Sequence, residues 1–269
     1  MDGLLLDSED KYTLCTNAVL SQYNRPPLPW HIKAQLQGRP GPAAGRIFET
    51  WAQLPVSRDV YMQQVTAMQK EVFPECKALP GVEELLAGLR GRGVEVALAT
   101  SSHSGNFALK TGHLGALFSV FDEEHRVLGD DPRIPAGRGK PAPDIYLVAL
   151  ETINARLRRE GKREVLPAEA LVFEDSVPGV EAGRRAGCQV VWCPHPELLL
   201  LMEGKEEVIL AGRMGEHKEE VGGGEVGGVE GAGKQGGRKK DAPGEIGDGW
   251  GRLLRTLEGF PYEDYGIKA

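Results

Sequence analysis

The chain lacks the excess of positive charge that is typical of nucleic-acid and membrane-surface binders. Its 269 residues include 32 lysines and arginines against 39 aspartates and glutamates, which gives a net charge of −7. Proteins that bind nucleic acids or acidic lipid surfaces usually present a basic face. We therefore expect no nucleic-acid partner and no membrane partner. A local positive site could still bind a small phosphorylated metabolite.

Paired cysteines and long apolar runs are also missing. The four cysteines form no Cys-x-x-Cys pair and no cluster with histidine at zinc spacing. This usage favours reduced thiols in an intracellular, cytoplasmic protein. No apolar run is long enough to span a bilayer, and no signal peptide is recognisable. The length allows one large domain or two modest ones, and we expect a monomer.

Two kinds of apolar periodicity divide the chain. Residues 11–79 carry apolar residues at helical spacing between Pro- and Gly-rich breaks, which predicts an all-helical region. From Pro80 onward, helical patterns alternate with short apolar runs, which predicts a parallel sheet with right-handed crossovers. The predicted strands are residues 94–99, 171–173 and 189–192. The expected fold class is α/β, a doubly wound parallel-sheet core with an inserted all-helical cap.

The sequence assigns residues 1–10 and 80–213 to the core, with one more short strand at 208–210. Residues 214–248 are dominated by Gly, Glu and Lys and can bury too little apolar surface to fold, which predicts a disordered insertion. Residues 249–269 are expected to form a short helix and a tail that pack back on the core. The apolar residues of that helix would be Trp250, Leu253, Leu254 and Leu257.

Polar residues follow the predicted strands, at the edge where open α/β sheets bind their ligands. They are Asp2, Thr100, Ser101, Glu174 and Asp175, together with Lys140 on a loop. Carboxylates suit Mg²⁺, lysine suits a phosphate, and hydroxyl and backbone N–H groups can donate to phosphoryl oxygens. An aspartate can act as general acid or base, but the set lacks a nucleophile. Each residue alone also has an ordinary structural explanation, such as a helix cap or a solvated loop. The functional interpretation therefore depends on the occurrence of all these residues together.

Four segments resemble the four motifs of the haloacid dehalogenase (HAD) superfamily. They are residues 2–9, 100–102, 139–144 and 173–176. The resemblance implies Mg²⁺-dependent phosphoryl transfer through an aspartyl-phosphate, with residues 11–79 as a cap inserted after the first motif. Asp2 matches the second acid of the first motif, which protonates the leaving group and then activates water. The presence of this acid favours a phosphatase over a dehalogenase.

The resemblance also implies roles for the other residues. Lys140 would stabilise the charge on the nucleophile and the phosphoryl group, and the backbone carbonyl of Asp2 would take part in Mg²⁺ binding. Metal binding is implied for Asp2, Glu174 and Asp175. Phosphate binding is implied for Gly3, Thr100, Ser101 and Lys140. Substrate specificity is expected from a turn in the cap formed by Gln37, Gly38 and Arg39.

The sequence departs from the family pattern at its first residue. The family nucleophile lies two residues before Asp2, ahead of Met1, and the first core strand would lie ahead of it too. That strand is central, so we expect a gap between the strands that end at Thr100 and Glu174. Either Met1 is an internal methionine of a longer protein, or the chain is a non-catalytic member that binds its ligand or a partner. The expected activity is hydrolysis of a small phosphomonoester, with the chain as written inactive; the alternatives are a sugar-phosphate phosphatase, a phosphoglucomutase and a binding protein.

Overall fold

The computed structural model describes residues 1–39, 41–215 and 241–268. The predicted helical region contains four helices and a short 3-10 turn: α1 (Ser8–Gln22), α2 (Trp30–Leu36), α3 (Gly41–Ala52), α4 (Arg58–Val72) and the turn Phe73–Glu75. Leu20, Phe48 and Ala52 form a small buried core between these helices, and Phe48 stacks on Tyr61 with ring centroids 4.6 Å apart. The prediction of an all-helical region is therefore confirmed, although α1 begins inside the first loop.

Two parallel sheets form the rest of the molecule. The smaller sheet pairs β1 (Leu98–Ala99) with β2 (Arg126–Val127). The larger sheet has the order β3–β4–β5, with β3 (Leu171–Glu174), β4 (Gln189–Trp192) and β5 (Gly251–Leu253). Helices cover these sheets: α5 (Val82–Gly91), α6 (Ser104–Thr111), α7 (Gly115–Phe118), α8 (Asp144–Arg159), α9 (Val177–Arg185), α10 (Pro196–Leu201) and α11 (Glu206–Leu210). Parallel strands connected by helices confirm the α/β prediction. None of the helices in the described ranges has the length and apolarity that a membrane crossing requires.

The structure corrects the predicted C-terminal elements. Residues 208–210, predicted as a strand, belong to α11. Residues 250–257, predicted as a helix, instead contain β5, because the free edge of β4 offers backbone partners: Val190 N–H donates to the Trp250 carbonyl at 2.8 Å and Leu254 N–H to the Trp192 carbonyl at 2.9 Å. The strand β2, which the sequence analysis did not predict, pairs with β1 in the same way. Helical spacing of apolar residues cannot reveal such distant partners.

Most of the predicted disordered insertion, residues 216–240, lies outside the described residues. Its last part, residues 241–248, is described and contacts α9, which contradicts the prediction for these residues. Arg184 is fully buried at the end of α9 and forms an ion pair with Asp248. The Gly244 N–H also donates to the Ala211 carbonyl at 2.8 Å. These contacts lead the chain into β5.

A cavity of about 360 Å³ separates the two sheets. One wall is formed by residues 94–99 and the opposite wall by residues 170–173, while Met1, Leu4 and Leu5 lie at one end. Among the described residues no strand lies between β1 and β3, so both present a free edge there. The predicted gap between the strands that end at Thr100 and Glu174 is present.

The first loop is tied to the segment that leads back from the cap. Asp7 N–H donates to the Lys77 carbonyl at 3.0 Å, and Lys77 N–H donates to Asp7 Oδ1 at 2.8 Å. Leu79 N–H donates to the Leu5 carbonyl at 3.0 Å. The two chain segments that connect the helical region with the sheets are therefore joined to each other.

Candidate functional site

The first loop, which carries Asp2, lies against the end of β3. The Met1 carbonyl accepts the Leu5 N–H at 2.8 Å, which folds the loop tightly. Gly3 has a φ of +65°, and a Cβ at this position would lie 2.5 Å from Asp175 Oδ2. A glycine is needed for both the positive φ and the close approach. The loop therefore places Gly3, the residue after Asp2, against the carboxylate of Asp175, which follows β3.

The Asp2 carboxylate accepts hydrogen bonds from three separate parts of the chain. Ser8 Oγ donates to Oδ1 at 2.6 Å, Ser102 Oγ donates to Oδ2 at 2.7 Å, and Lys110 Nζ forms an ion pair with Oδ1 at 2.5 Å. Burial alone would raise the pKa of Asp2, but the charges of Lys110 and the amino terminus outweigh it and lower that pKa to about 2. Asp2 is therefore an ionised carboxylate with a fixed orientation.

Lys140 and Glu174 form a buried ion pair at the end of β3. Lys140 Nζ donates to Glu174 Oε1 at 2.6 Å, with both side chains 5% exposed. The Tyr146 hydroxyl donates to the same oxygen, and the N–H and hydroxyl of Ser176 donate to Oε2 at 3.2 and 3.0 Å. Burial would raise the pKa of Glu174, but the Lys140 charge outweighs it and lowers that pKa to about 2. Both Glu174 oxygens are occupied, so this carboxylate fixes the position of Lys140.

Asp175 differs from Glu174 because its carboxylate accepts no hydrogen bond from the described residues. Burial, followed by repulsion from Glu174 and Glu9, raises the pKa of Asp175 well above its usual range. Burial also raises the pKa of Glu9, although Lys33 opposes this. Two neighbouring acids whose ionised forms are disfavoured by burial make a site where a bound cation would be stabilising.

The donor set fits a magnesium ion held mainly through Asp175. No three His, Cys, Asp or Glu side chains converge as a metal site anywhere in residues 1–39, 41–215 or 241–268. Mg²⁺ does not require such a cluster, since it usually keeps several waters and takes one or two carboxylates plus substrate phosphate. Asp175 has a free carboxylate for this purpose, whereas Glu174 is committed to its donors. The metal-binding role of Glu174 and of the Asp2 carbonyl stays a prediction.

The second motif lies between Asp2 and the cap. Thr100 is 2% exposed, and its Oγ1 accepts the Ser102 N–H at 3.2 Å. Ser101 Oγ donates to the Gly38 carbonyl of the cap at 3.2 Å. Ser102 is the member of the motif that contacts Asp2. Phosphate binding by Thr100, Ser101 and Gly3 stays a prediction.

The Gln37-Gly38-Arg39 turn lies against these strand ends. Gly38 has a φ of +72°, and a Cβ there would collide with the Ser176 side chain. Gln37 is 5% exposed, and neither of its amide atoms has a hydrogen-bond partner of good geometry within the described chain. Arg39 Nε donates to the carbonyl of Gln35 at 2.7 Å. The turn thus presents a buried, unsatisfied amide next to the site.

Sequence reasoning missed several residues of the site. Lys33 donates to the Glu9 carbonyl at 3.0 Å and lies 3.7 Å from its carboxylate. Ser8 and Lys110 contact Asp2 directly. One signal was available for Lys110, because it follows the apolar Phe107 by three residues, a spacing that places both side chains on the same face of α6.

Comparison with known proteins identifies the family that the four sequence motifs resemble. A model of the haloacid dehalogenase-like hydrolases matches residues 1–187. A probable pseudouridine-5′-phosphatase from Saccharomyces cerevisiae is 41% identical over 213 residues, covering 79% of this chain and 87% of that protein. The (DL)-glycerol-3-phosphatase 1 of Arabidopsis thaliana is 37% identical over 200 residues, covering 74% of this chain and 63% of that protein. A crystal structure of a HAD family hydrolase from Deinococcus radiodurans, with bound phosphate and sodium, has a TM-score of 0.53 and 26% identity, covering 73% of this chain and 79% of that one.

The family match spans more than half of the chain and includes all four motif segments as well as the helical cap. The relatives named as phosphatases act on small phosphorylated compounds, which agrees with a site that combines an ionised aspartate, a buried lysine and a free carboxylate. This chain belongs to the haloacid dehalogenase-like hydrolases and has the fold of their phosphatases.

Proposed function

We propose that this site hydrolyses a small phosphomonoester in the presence of Mg²⁺, with pseudouridine 5′-phosphate as the preferred substrate. The observation that carries the proposal is the Asp2 carboxylate, held by Ser8, Ser102 and Lys110 on the loop whose Gly3 contacts Asp175. A second acid at this place is what a phosphatase of the family needs and a dehalogenase does not. The proposed setting is a cytoplasmic monomer acting on a metabolite.

In the proposed reaction Asp2 transfers protons and Lys140 stabilises negative charge. The ionised Asp2 takes a proton from the attacking water and, in that protonated form, gives it to the leaving oxygen of the next substrate. Lys140, oriented by Glu174, stabilises the negative charge on the phosphoryl oxygens. Mg²⁺ bound at Asp175 would neutralise phosphate charge when present. Thr100 and Ser101 would contribute hydroxyl and N–H donors to the phosphoryl group.

The nucleophile of the proposed reaction is an aspartate joined directly to the amino side of Met1. Asp2 cannot take its place, because two steps along an extended chain displace a residue by roughly 6–7 Å. The space for the strand that would carry this aspartate is supported by the cavity between β1 and β3, which ends at Met1. With that aspartate, the reaction would proceed through an aspartyl-phosphate.

The substrate assignment rests on resemblance. Residues 71–74, 97–102, 127–132 and 259–262 resemble pseudouridine-5′-phosphatase, and relatives with that name match most of this chain. Other relatives are named glycerol-3-phosphatases, so a glycerol or sugar phosphate is the alternative. A phosphoglucomutase is a further alternative, and it would return products that retain phosphate.

The test is phosphate release from pseudouridine 5′-phosphate, glycerol 3-phosphate and glucose 1-phosphate with Mg²⁺. It compares the chain as given with the same chain preceded by a strand of β-branched residues that ends in Asp. Turnover by the extended chain alone supports the proposal, and its loss in an Asp-to-Asn version of the added residue identifies the nucleophile. A folded extended chain that is inert on all three substrates would favour the alternative of a non-catalytic binding protein. Turnover by the chain as given would show that our account of the nucleophile is wrong.

A further inference from the structure

Lys110 is a fully buried cation whose three hydrogens all have acceptors. Its Nζ lies 2.5 Å from Asp2 Oδ1, 2.6 Å from Ser102 Oγ and 3.2 Å from the Tyr12 hydroxyl. The rings of Tyr12 and Phe73 lie around it, with centroids 5.0 and 5.4 Å from Nζ. An ammonium group has three donors, so the coordination of this lysine is complete.

This lysine cannot touch a substrate, because its exposed fraction is 0%. It connects three parts of the molecule instead: the first loop through Asp2, its own helix α6, and the cap through Tyr12 and Phe73. Any influence of Lys110 on chemistry must therefore pass through Asp2. Burying a cation is unfavourable unless it is paired and hydrogen-bonded, so its geometry is tightly constrained.

The two oxygens of Asp2 are held unequally. Oδ1 accepts from both Lys110 and Ser8, whereas Oδ2 accepts from Ser102 alone. Each carboxylate oxygen has two lone pairs, so Oδ1 is filled and Oδ2 keeps one free. The Asp2 side chain is 16% exposed, which leaves this carboxylate an opening that Lys110 does not have. The anchored oxygen thus fixes the direction of the free one.

We propose that Lys110 is a positioning residue for the water-activating step: it anchors Oδ1 of Asp2 so that Oδ2 receives the proton of the attacking water. In that step the water oxygen bonds to phosphorus, the bond from phosphorus to the nucleophile carboxylate breaks, and the water proton passes to Oδ2. The products are inorganic phosphate and the free nucleophile. This inference rests on the proposed phosphatase function.

The experiment uses p-nitrophenyl phosphate, whose leaving group departs without protonation, and the form of the chain that releases phosphate. We expect Lys110→Met to lower kcat by about 100-fold, the size of a general-base contribution. The ratio kcat/KM, which reports only the steps up to departure of the leaving group, should stay within about 3-fold. The phosphorylated enzyme should accumulate in acid-quenched samples, because its hydrolysis has become slow.

Arg184→Met is the matched control, since it also removes one partner of a buried ion pair, at the far end of α9 from the site. A purely structural effect would lower kcat and kcat/KM together in both variants, without accumulation of the phosphorylated enzyme. That result for Lys110→Met would overturn the proposal while leaving the phosphatase function intact. Absence of turnover in every unsubstituted form would overturn both.

A second variant covers the case in which Lys110→Met does not fold. Tyr12→Phe removes one acceptor of Lys110 and keeps its charge. We expect the same pattern at smaller size, a roughly 3- to 10-fold lower kcat with unchanged kcat/KM. An unchanged kcat in Tyr12→Phe, with Lys110→Met unfolded, would count against the positioning role.

Discussion

Gly3 and Asp175 approach so closely that Asp175 Oδ2 lies only 2.5 Å from the position that a Cβ of residue 3 would take. The contact connects the first motif with the last, which are far apart in the sequence. It forces residue 3 to be glycine for two reasons, the positive φ and the lack of space. The contact also brings the loop that carries Asp2 next to the strand end that carries Asp175.

Replacing Gly3 with alanine should destabilise the fold and disrupt the site. The strained φ alone costs about 1–2 kcal/mol, and displacement of Asp175 adds to it. We expect a lower midpoint of urea unfolding and loss of the Mg²⁺-induced rise in Tm. The control is Gly91→Ala, at the end of α5, where a Cβ would meet no atom within 4 Å. Equal stability of the Gly3 and Gly91 variants would contradict this account.

The Asp2 ion pair predicts loss of stability in acid. The pKa of Asp2 is lowered to about 2 in the folded chain, so its stabilising contribution is present above the ordinary aspartate range. It is lost as the pH falls from about 4 towards about 2, and amounts to about 2 kcal/mol. Asp2→Asn should be less stable than the original chain at pH 6, and the difference should shrink below pH 4. Urea unfolding from pH 6 to 3 measures it, and a constant difference would refute the pairing.

Asp175 predicts the opposite pH dependence, in which folding stability decreases as the pH rises. Its pKa is raised by burial and by its acidic neighbours, so above that raised pKa its charged form opposes folding. Asp175→Asn should raise Tm at neutral pH by roughly 3–6 °C, and the gain should disappear as the pH is lowered. Mg²⁺ should raise the Tm of the original chain, because a ligand bound only by the folded state stabilises it. It should not raise the Tm of Asp175→Asn.

The control for this prediction is Glu71→Gln, which removes one negative charge from an exposed position on α4. It should leave both the Tm and its response to Mg²⁺ unchanged. A Mg²⁺ response that survives in Asp175→Asn would exclude Asp175 as the main ligand.

The cavity between β1 and β3 predicts stabilisation by an added strand. Six residues of alternating valine and threonine ahead of Met1 would bury two or three apolar side chains, worth about 5 kcal/mol. We expect Tm to rise by about 10 °C, since the strand would also pair with two free edges. A glycine–serine extension of equal length should have no effect. Equal Tm values for the two extensions would show that the cavity does not accept a strand.

The unsatisfied amide of Gln37 predicts an effect on substrate choice. The Gln37 amide interacts with Glu9 but has no well-aligned hydrogen bond among the described residues, so it gains hydrogen bonds if the imide group of a pyrimidine base reaches it. In the active form of the chain, Gln37→Ala should lower kcat/KM for pseudouridine 5′-phosphate by 10-fold or more, and for glycerol 3-phosphate by little. Gln35→Ala, exposed on the same segment, is the control. Equal loss on both substrates would assign Gln37 a structural role.

The sequence predicted the parts of the molecule that depend on local patterns. The cap helices, α8 and the strands ending at Ala99, Glu174 and Trp192 follow from periodicity and their breaks. β5 could not be predicted, because its three residues become a strand only through pairing with β4. The prediction of disorder was wrong for residues 241–248 for a similar reason, because the order of this segment depends on the distant Arg184.

The functional site shows the same limit of prediction from sequence patterns. Motif resemblance located Asp2, Lys140, Glu174 and Asp175, but it could not separate the roles of the two adjacent acids. Glu174 is distinguished by donors from Tyr146 and Ser176, and Asp175 by the lack of any in the described chain. Such differences depend on three-dimensional neighbours, as does the burial of Lys110.

The paired hydrogen bonds between Asp7 and Lys77 constrain any movement of the cap relative to the sheets. Both chain connections between the cap and the core are joined there, so a rotation of the cap about this point would move the two connections together. The Ser101–Gly38 hydrogen bond joins the cap to the core at a second place. A rotation of the cap would also have to break its other contacts with the core, among them the stacking of Trp30 on His195 and the Lys110–Tyr12 hydrogen bond.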